Sequence, residues 1–349
     1  MPTQARQARL AFVGCGAHAT RTLYPALTQT PSIDLVAVCD LKEGLARDAA
    51  RRFGARQWYT DLGKMLSEEE PEGVLVCGPP QMHYEVGLEV VRRGVPLFVE
   101  KPSALNADLA RELAQAAQEH GTWGQVAFMK RHAVAYRIAT HIVEQPQFGP
   151  VSLIQADFTQ GPYPAHWGVE PPAFAFLTGQ VVHIFDLIRH FGGDVAEVHA
   201  RYVERSPQQF AFAVSVLFAS GAVGLLNLNS LDAKEPWRDI GEHLAVSGLE
   251  RVVTVDDMLY VRLEGHTEWF QAPGLDIGKA YYGWQPTGPP ARKTEELLGY
   301  QPEIAHFAEC VLAGKPGLPT LWDGAAALDI TAAVWESVQQ GGSVAVRGT

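Results

Sequence analysis

The chain has 349 residues, of which 47% are hydrophobic and 19% charged, and this suits two packed globular domains with a well-filled core. Its formal net charge of −11 argues against a nucleic-acid-binding surface, because phosphate recognition needs clustered lysines and arginines. No apolar run approaches the roughly 20 residues that span a bilayer, and no apolar signal core precedes the first glycine turn. We therefore expect a cytoplasmic protein.

The first predicted domain covers residues 1–124, where short apolar runs alternate with amphipathic segments. This pattern predicts a doubly wound parallel sheet with crossover helices, an α/β architecture. The predicted strands are LAFVG (10–14), LVAVC (35–39), GVLVC (73–77), PLFVE (96–100) and WGQVAF (123–128). The predicted helices cover residues 17–28, 42–53, 61–67, 81–93 and 106–120. Gly94 and Gly121 lie where helix C-caps belong.

The second predicted domain covers residues 125–349 and has longer strands with partial alternation of apolar and polar residues. The predicted strands are VSLIQADF, EVHARYV, FAFAVSVLFA, AVGLLNLN, HLAVSG and LYVRLEG. With helices at 180–191, 302–313 and 323–339, they predict an α+β domain with an open, mostly antiparallel sheet covered by helices on one face. A Pro/Gly-rich stretch at 274–293 reads as a long loop, and SVAV as a short final strand.

The glycine-rich segment Gly14-Cys15-Gly16-Ala17-His18-Ala19 follows a predicted strand immediately and opens a helix. Gly14 permits a sharp turn, Gly16 lets the backbone approach a diphosphate, and Ala19 leaves room for close helix–strand packing. The helix N-terminus then offers unpaired N–H groups to the phosphates. The alternative is a tight bend in a domain that binds no nucleotide, and the next acidic residue argues against it.

That acidic residue is Asp40, which ends the strand segment DLVAVCD. A carboxylate there accepts hydrogen bonds from the adenine ribose and repels a 2′-phosphate, which favours NAD over NADP. Lys42 weakens this preference, so NADP remains an alternative. Turn, helix and acid together predict a Rossmann domain that binds a dinucleotide.

The four cysteines, Cys15, Cys39, Cys77 and Cys310, are too scattered for a disulfide framework or a zinc site. Three of them end predicted parallel strands, which favours buried reduced thiols over redox chemistry. No set of His, Asp and Glu residues has metal-ligand spacing, so no metal is predicted.

Two predicted strands deliver loops to the carboxyl edge of the first sheet, where such sheets bind ligands. The first loop is Gly78-Pro79-Pro80 and the second is Glu100-Lys101-Pro102. A lysine in a dry cleft beside a nicotinamide would have a lowered pKa and would exchange protons with a hydroxyl. The alternative is a surface lysine before a turn.

A second candidate lies in the helical segment FLTGQVVHIFDLIRHFGG, where His183 and Asp186 are three residues apart. A histidine there can take a hydroxyl proton during hydride transfer. The alternative is a hydrogen-bonded core histidine, which is the commoner role for a lone histidine in an apolar helix.

Together these motifs resemble the Gfo/Idh/MocA family of oxidoreductases. They are VGCGAHA, VCGPPQMHYEV, VEKPSA, VAFMKRHAVAYR, HIFDLIRHFGG and the closing pattern from AHFAEC to SVAV. The resemblance implies a Rossmann domain, a second domain with an open-faced sheet, and a homodimer or homotetramer.

The resemblance also implies roles for individual residues. Lys101 matches the lysine that contacts the reacting hydroxyl or carbonyl, and His183 matches the catalytic acid/base. Many family members have an aspartate four residues before this histidine, whereas this chain has Gly179, which puts the usual Lys/Asp/His trio in doubt. Glu100 and Pro102 match residues that frame the lysine. Three further positions match residues that line the nicotinamide half or the neighbouring wall, namely Pro79, His83 and Arg131.

The substrate side is indicated by the loop GPYPAHWGVEPPAF at 161–174. Its Tyr163, His166 and Trp167 can form a wall that stacks on a sugar, or an aromatic-packed surface loop. Trp284 and Trp237-Arg238 are left open as contacts to a cleft or a second subunit.

The sequence therefore predicts an NAD(P)-dependent oxidoreductase that transfers a hydride between nicotinamide and a secondary alcohol or ketone of a sugar or polyol. The alternatives are an NAD-dependent glycosidase or lyase that uses transient redox chemistry, and a non-catalytic dinucleotide sensor. The predicted cofactor-binding residues are Gly14, Cys15, Gly16, Ala17, His18, Asp40, Pro79, His83, Glu100 and Lys101. The predicted substrate-binding residues are Arg131, Tyr163, Trp167 and His183.

Overall fold

The computed structural model describes residues 6–233, 240–265, 281–286 and 295–348. Trp237-Arg238 and most of the predicted loop at 274–293 lie outside this part. The chain divides into two compact units. The first runs to Met129 and includes Gly299–Ala325, and the second comprises Lys130–Leu298 and Ala326–Thr349.

The first unit contains a six-stranded parallel sheet. Its strands are β1 (Ala8–Val13), β2 (Ile33–Cys39), β3 (Gln57–Tyr59), β4 (Gly73–Val76), β5 (Leu97–Val99) and β6 (Gly124–Val126). The strand order is β3-β2-β1-β4-β5-β6, so the direction of winding reverses between β1 and β4. In doubly wound sheets, ligands bind outside the carboxyl ends of the strands at this reversal.

The helices of the described chain are α1 (Tyr24–Thr28), α2 (Glu43–Phe53), α3 (Leu62–Glu69), α4 (Pro80–Arg92), α5 (Ala107–Glu119), α6 (Val134–Val143), α7 (Pro172–Phe176), α8 (Val182–Gly192), α9 (Tyr300–Ala313) and α10 (Leu321–Gln340). Two π-helical turns occur in this described part, at Ala19–Leu23 and at Leu177–Val181. Each adjoins a segment that the sequence singled out for function, and π-helical turns are frequent at functional sites.

Aromatic side chains fill the core of the first unit. Tyr24 stacks on Phe12 of β1 and on Phe53 of α2, with ring centroids 4.4 Å and 4.7 Å apart. Phe307 of α9 packs edge-to-face on Phe98 and Trp123, at 5.7 Å and 5.4 Å. Because Phe307 is fully buried there, α9 joins the first unit although it lies far along the chain.

The second unit contains a nine-stranded sheet. Its strands are β7 (Leu153–Gln160), β8 (Val195–Ser206), β9 (Gln209–Phe218), β10 (Val223–Asn229), β11 (Ile240–Ser247), β12 (Arg251–Asp256), β13 (Tyr260–Gly265), β14 (Tyr281–Trp284) and β15 (Val344–Ala345). The order is β14-β13-β12-β11-β7-β10-β9-β8-β15. The β7–β10 pair is parallel, and the other neighbours are antiparallel.

One face of the second sheet is covered and the other is open. Every second residue of β9 is buried, as expected for a sheet that packs helices on one side only. On the covered face, Phe210 packs against Phe176 of α7 at 5.4 Å, and Phe212 packs near Trp335 of α10 at 6.4 Å. The open face leaves Leu217, Val223 and Leu225 exposed.

The predicted fold class is confirmed: a parallel Rossmann sheet is followed by a mixed, mostly antiparallel sheet. The sequence did not predict β3, β12 or β14. It also placed a single helix at 180–191, where the structure has α7, the π-helical turn and α8 in succession. No helix of the described residues is long and apolar enough to cross a membrane.

Candidate functional site

The glycine turn begins where β1 ends. Gly14 has a φ of 102°, and a β-carbon there would lie 1.9 Å from the carbonyl oxygen of Cys77. Its N–H donates to the carbonyl oxygen of Cys39 over 2.8 Å. The sharp turn therefore joins the ends of β1, β2 and β4, and only glycine fits at this position.

Gly16 has a different reason to be glycine. A β-carbon at Gly16 would meet no protein atom within 4 Å, and its backbone does not have a positive φ. Neither protein packing nor backbone conformation demands a glycine there, whereas the close approach of a diphosphate does. Ala19 is fully buried, so the third position has room only for a small residue. The turn fits a dinucleotide.

Asp40 follows β2 and faces the glycine turn. Its Oδ2 accepts the backbone N–H of Cys15 and its Oδ1 accepts that of Lys42, each over 2.8 Å. An ionised carboxylate has about four acceptor positions, so Asp40 retains capacity for ribose hydroxyls. The next residue, Leu41, is 92% exposed beside this carboxylate and was not identified from the sequence. The sequence feature that could have identified Leu41 is an apolar residue directly after the acidic residue that ends the strand.

The three cysteines at the strand ends are buried free thiols, as predicted. Burial raises the pKa of Cys15 to about 11 and that of Cys39 to about 12, and burial also raises the pKa of Cys77. A thiol that stays protonated is a poor nucleophile. These side chains therefore fill the core beneath the turn.

Glu100 ends the segment that follows β5 and is only 3% exposed. Its Oε1 lies 3.2 Å from Nε2 of His18, and its Oε2 accepts the backbone N–H of Lys101 over 3.0 Å. Burial alone would raise the pKa of Glu100, but the hydrogen bond from His18 and the charges of His18 and Lys101 lower it below its usual value. An ionised Glu100 thus connects the glycine turn to the lysine.

Lys101 lies at the carboxyl edge of the parallel sheet and is partly buried. Burial lowers the pKa of its ammonium, while the neighbouring Glu100 and Cys77 raise it, and the net effect is a decrease. A lysine with a lowered pKa gives up its proton more readily than an ordinary lysine. Lys101 is therefore not a freely exposed surface lysine, and its catalytic role stays a prediction.

His83 of α4 is fully enclosed and joins two loops of the sheet edge. Its Nε2 accepts the N–H of Gly78 over 2.9 Å, and its Nδ1–H donates to the carbonyl oxygen of Pro102 over 2.8 Å. Burial lowers its pKa to about 4, so the ring is neutral with the proton on Nδ1. Both ring nitrogens are used within the protein, so His83 positions Gly78 and Pro102. Pro79, at the N-cap of α4, is exposed at the same edge.

Two residues of α9 that the sequence did not single out lie near this site. The ring of Tyr300 contacts that of His18 edge-to-face at 6.2 Å. Glu303 is fully buried, and burial and the charge of Glu100 raise its pKa well above the usual value. Neither carboxyl oxygen of Glu303 has a hydrogen-bond partner within the described ranges. A glutamate in the first turn of a helix is normally read as solvent-exposed, so the sequence carried no signal for it.

In the second unit, His183 lies in the first turn of α8 and is 7% exposed. The π-helical turn Leu177–Val181 directly precedes this helix, so four residues do not complete one turn there. Position 179 therefore points in a different direction relative to His183 than it would in a regular α-helix.

Asp186, one turn after His183, is fully buried and pairs with Arg131. The Nε and Nη2 of Arg131 lie 2.8 Å and 2.6 Å from the two carboxylate oxygens. This bidentate pair fixes the helix that carries His183. The guanidinium of Arg131, which was predicted to bind substrate, is thus paired with Asp186. Asp186 is therefore engaged elsewhere and does not replace the carboxylate that is absent at Gly179.

The space beside Gly179 is filled by two of the predicted aromatic residues. A β-carbon at Gly179 would lie 2.7 Å from the hydroxyl oxygen of Tyr163 and 3.2 Å from the nearest ring atom of Trp167. The structure thus brings Tyr163 and Trp167 together on the helical segment that leads to His183. Within the ranges that the structure describes, no group of three or more His, Cys, Asp or Glu residues could hold a metal ion.

The fold and the turn geometry define a dinucleotide-binding Rossmann domain joined to an α+β domain. Residues 8–128 match the Gfo/Idh/MocA family, described as an oxidoreductase family with an NAD-binding Rossmann fold. These residues belong to that family, which confirms both the resemblance and the predicted NAD-binding domain.

Similarity to known proteins extends over the whole chain. The chain is 25% identical over 348 residues to scyllo-inositol 2-dehydrogenase (NAD(+)) of Bacillus subtilis strain 168, covering 96% of this chain and 95% of that protein. A dehydrogenase from Chromobacterium violaceum shares the fold with a TM-score of 0.82 and 23% identity, covering 97% of this chain and 96% of that one. Levoglucosan dehydrogenase in complex with NADH and L-sorbose shares it with a TM-score of 0.81 and 18% identity, covering 99% and 100%.

Proposed function

We propose that this protein is an NAD-dependent dehydrogenase that oxidises a secondary alcohol of a sugar or polyol, or reduces the corresponding ketone. The observation that carries the proposal is the position of Lys101. The residue is partly buried, the pKa of its ammonium is lowered, and its backbone N–H is bound by Glu100 at the sheet edge that also carries the glycine turn. The names of the inositol and levoglucosan dehydrogenases support the substrate class.

Binding of the cofactor is assigned to the turn and to Asp40. The N–H groups after Gly16 would hold the diphosphate, and Asp40 would accept the hydroxyls of the adenine ribose. Leu41 offers an exposed apolar surface beside Asp40 for the adenine ring. When bound, NAD supplies the chemistry by accepting or donating a hydride.

Lys101 and His183 are proposed to handle the proton. During oxidation the substrate carbon loses a hydride and the hydroxyl loses a proton. In this proposal His183 takes that proton, while the ammonium of Lys101 stabilises the negative charge that develops on the substrate oxygen. Reduction is the reverse. The Arg131–Asp186 pair would hold the helix of His183 in place during both.

The test is a screen of sugars, polyols and their keto forms with NAD and with NADP, followed by the absorbance of the reduced nicotinamide. The proposal expects turnover of at least one secondary alcohol or ketone, with NAD preferred because Asp40 repels a 2′-phosphate. Cleavage of a glycoside without net nicotinamide reduction would instead indicate a transient-redox glycosidase or lyase. Tight NAD binding without turnover of any compound would indicate a sensor.

We also propose that the protein forms a homo-oligomer through the open face of the second sheet. Val223 of β10 pairs directly with Leu217 of β9, and Leu225 lies two residues further along β10. These three side chains are 43–53% exposed and contiguous. A contiguous apolar patch of this kind is commonly an interaction surface.

A further inference from the structure

Gly179 is a buried glycine within a helical segment, where its own conformation does not require glycine. A glycine inside a helix is unfavourable relative to alanine, so its presence implies a packing reason. The reason is the contact already described: the Tyr163 hydroxyl and the Trp167 ring occupy the volume that a β-carbon would take. Tyr163 and Trp167 of segment 161–168 therefore pack against the helical segment that continues to His183.

Tyr163 is held as a neutral hydrogen-bonding group. It is 4% exposed, its ring packs edge-to-face on Phe176 at 5.5 Å, and its backbone N–H donates to the carbonyl oxygen of Gln208 over 3.0 Å. A side-chain hydrogen bond with Gln180 lowers the pKa of Tyr163. Burial nevertheless raises the pKa of Tyr163 to about 12, so the phenol keeps its proton at ordinary pH.

Trp167 is held in an unfavourable conformation. Its φ is 54°, in the left-handed region that a tryptophan rarely adopts, and its side chain is 44% exposed. Left-handed backbone for a bulky residue persists only where the surroundings enforce it, and such strain is concentrated at binding sites. Here the bridge between His166 and Val169 closes the turn, and the edge of the indole rests on Gly179. The remaining indole surface is left open to solvent.

We propose that Trp167, Tyr163 and Gln180 form a neutral subsite that selects ring-shaped polyhydroxyl substrates. The exposed indole would cover the apolar C–H face of a pyranose or a cyclic polyol, and the Tyr163–Gln180 pair would hydrogen-bond to its hydroxyls. An acyclic polyol has no rigid C–H face to stack, so it gains nothing from Trp167. The choice of substrate class rests on the proposed function, whereas the subsite itself rests on Gly179 and its two aromatic neighbours.

The kinetic test compares Trp167→Leu, Trp167→Phe and Tyr163→Phe with the unaltered protein on glucose, myo-inositol and the acyclic polyol sorbitol. We expect Trp167→Leu to raise KM for the cyclic substrates about tenfold with little change in kcat, because an aromatic face is lost. Trp167→Phe should recover part of this loss, and Tyr163→Phe should raise KM through the missing hydroxyl. Equal effects on cyclic and acyclic substrates would overturn the proposal. Tyr260→Leu, at a residue 41% exposed on β13, is the matched control.

A binding measurement keeps this proposal separate from the proposed function. The indole N–H resonance of Trp167, assigned by its absence in Trp167→Phe, is followed while glucose or myo-inositol is added to the protein with NADH. A saturable shift at Trp167, lost in Gly179→Ala because the added methyl displaces the indole, supports the subsite even if no hydride transfer occurs. The absence of any shift at saturating sugar contradicts it, and turnover without such a shift rejects the subsite while leaving the dehydrogenase activity established.

Discussion

The backbone N–H of Cys15 donates to Oδ2 of Asp40 over 2.8 Å, so the residue that would read the ribose is hydrogen-bonded to the turn that would hold the diphosphate. The other carboxylate oxygen accepts the N–H of Lys42. Asp40 is thus oriented before any cofactor arrives, and the residues proposed to bind the ribose and the diphosphate are joined by a hydrogen bond.

The first prediction concerns Asp40→Asn. The amide keeps an acceptor oxygen but loses the charge, so NADH affinity should fall about 10- to 100-fold, the range for a hydrogen bond to a charged group. NADPH affinity should fall less, because repulsion of the 2′-phosphate is also removed. Fluorescence titration with both reduced cofactors measures this, and Asp48→Asn, on the exposed side of α2, is the control. Equal losses for NADH and NADPH would contradict the assigned role.

The second prediction concerns His83 and acid stability. Its pKa is about 4 in the folded protein against 6.5 for an ordinary histidine, so the unfolded chain binds a proton at pH values where the folded protein does not. The stability that His83 contributes is fully present above pH 6.5 and is lost as the pH falls through about 4. The slope from this one proton reaches at most about 1.4 kcal/mol per pH unit.

Urea unfolding of His83→Gln between pH 4 and pH 7 checks this, with His120→Gln at the exposed end of α5 as the control. The variant should be less stable at neutral pH, because the bonds to Gly78 and Pro102 are weakened, yet its stability should depend less on pH. Parallel pH profiles for the variant and the unaltered protein would show that His83 does not stay neutral in the fold.

The third prediction concerns Glu303, whose raised pKa gives the opposite sign. The folded protein keeps this proton above the pH at which the unfolded chain releases it. Its contribution to stability is therefore fully present below the ordinary glutamate pKa of 4.5 and is lost as the pH rises through the folded-state pKa. In the unaltered protein the free energy of unfolding should fall by up to about 1.4 kcal/mol per pH unit in that window, and in Glu303→Gln this fall should be absent.

The measurement is the free energy of unfolding from pH 4.5 to pH 9, with Glu309→Gln, an exposed residue on the same helix, as the control. Stability of Glu303→Gln that declines with pH as steeply as that of the unaltered protein would mean that the carboxyl is ionised in the fold.

The fourth prediction concerns the open face of the second sheet. A lysine at Leu225, which is 53% exposed, would place a charge within the apolar patch. If the patch joins two chains, Leu225→Lys should convert the oligomer to monomer in light scattering, while NADH affinity of the first unit stays within about twofold, a change under about 0.5 kcal/mol. An unchanged mass would assign the contact to another surface.

The parallel sheet and its glycine turn could be predicted because strands buried on both faces read as continuous apolar runs that end in Gly14, Asp40 and Lys101. Glu303 and Tyr300 could not be predicted, because packing of Phe307 brings a distant helix to the first unit. The π-helical turn before His183 was missed because it changes the helical period locally. The need for glycine at position 179 could not be predicted either, because it comes from contacts with Tyr163 and Trp167, and the sequence alone does not show that these residues lie next to it.

The central claim is that a dinucleotide bound at the glycine turn reacts beside Lys101, and Lys101→Met tests it most directly. NADH affinity, by fluorescence titration, should stay within about twofold of the unaltered protein, under 0.5 kcal/mol. The rate of hydride transfer with the substrate found in the screen should fall about 10²- to 10³-fold, the usual loss when a group that stabilises charge on the reacting oxygen is removed. Lys64→Met, an exposed lysine on α3, should change neither. An unaltered transfer rate in Lys101→Met, or no affinity for NADH in the unaltered protein, would contradict the account.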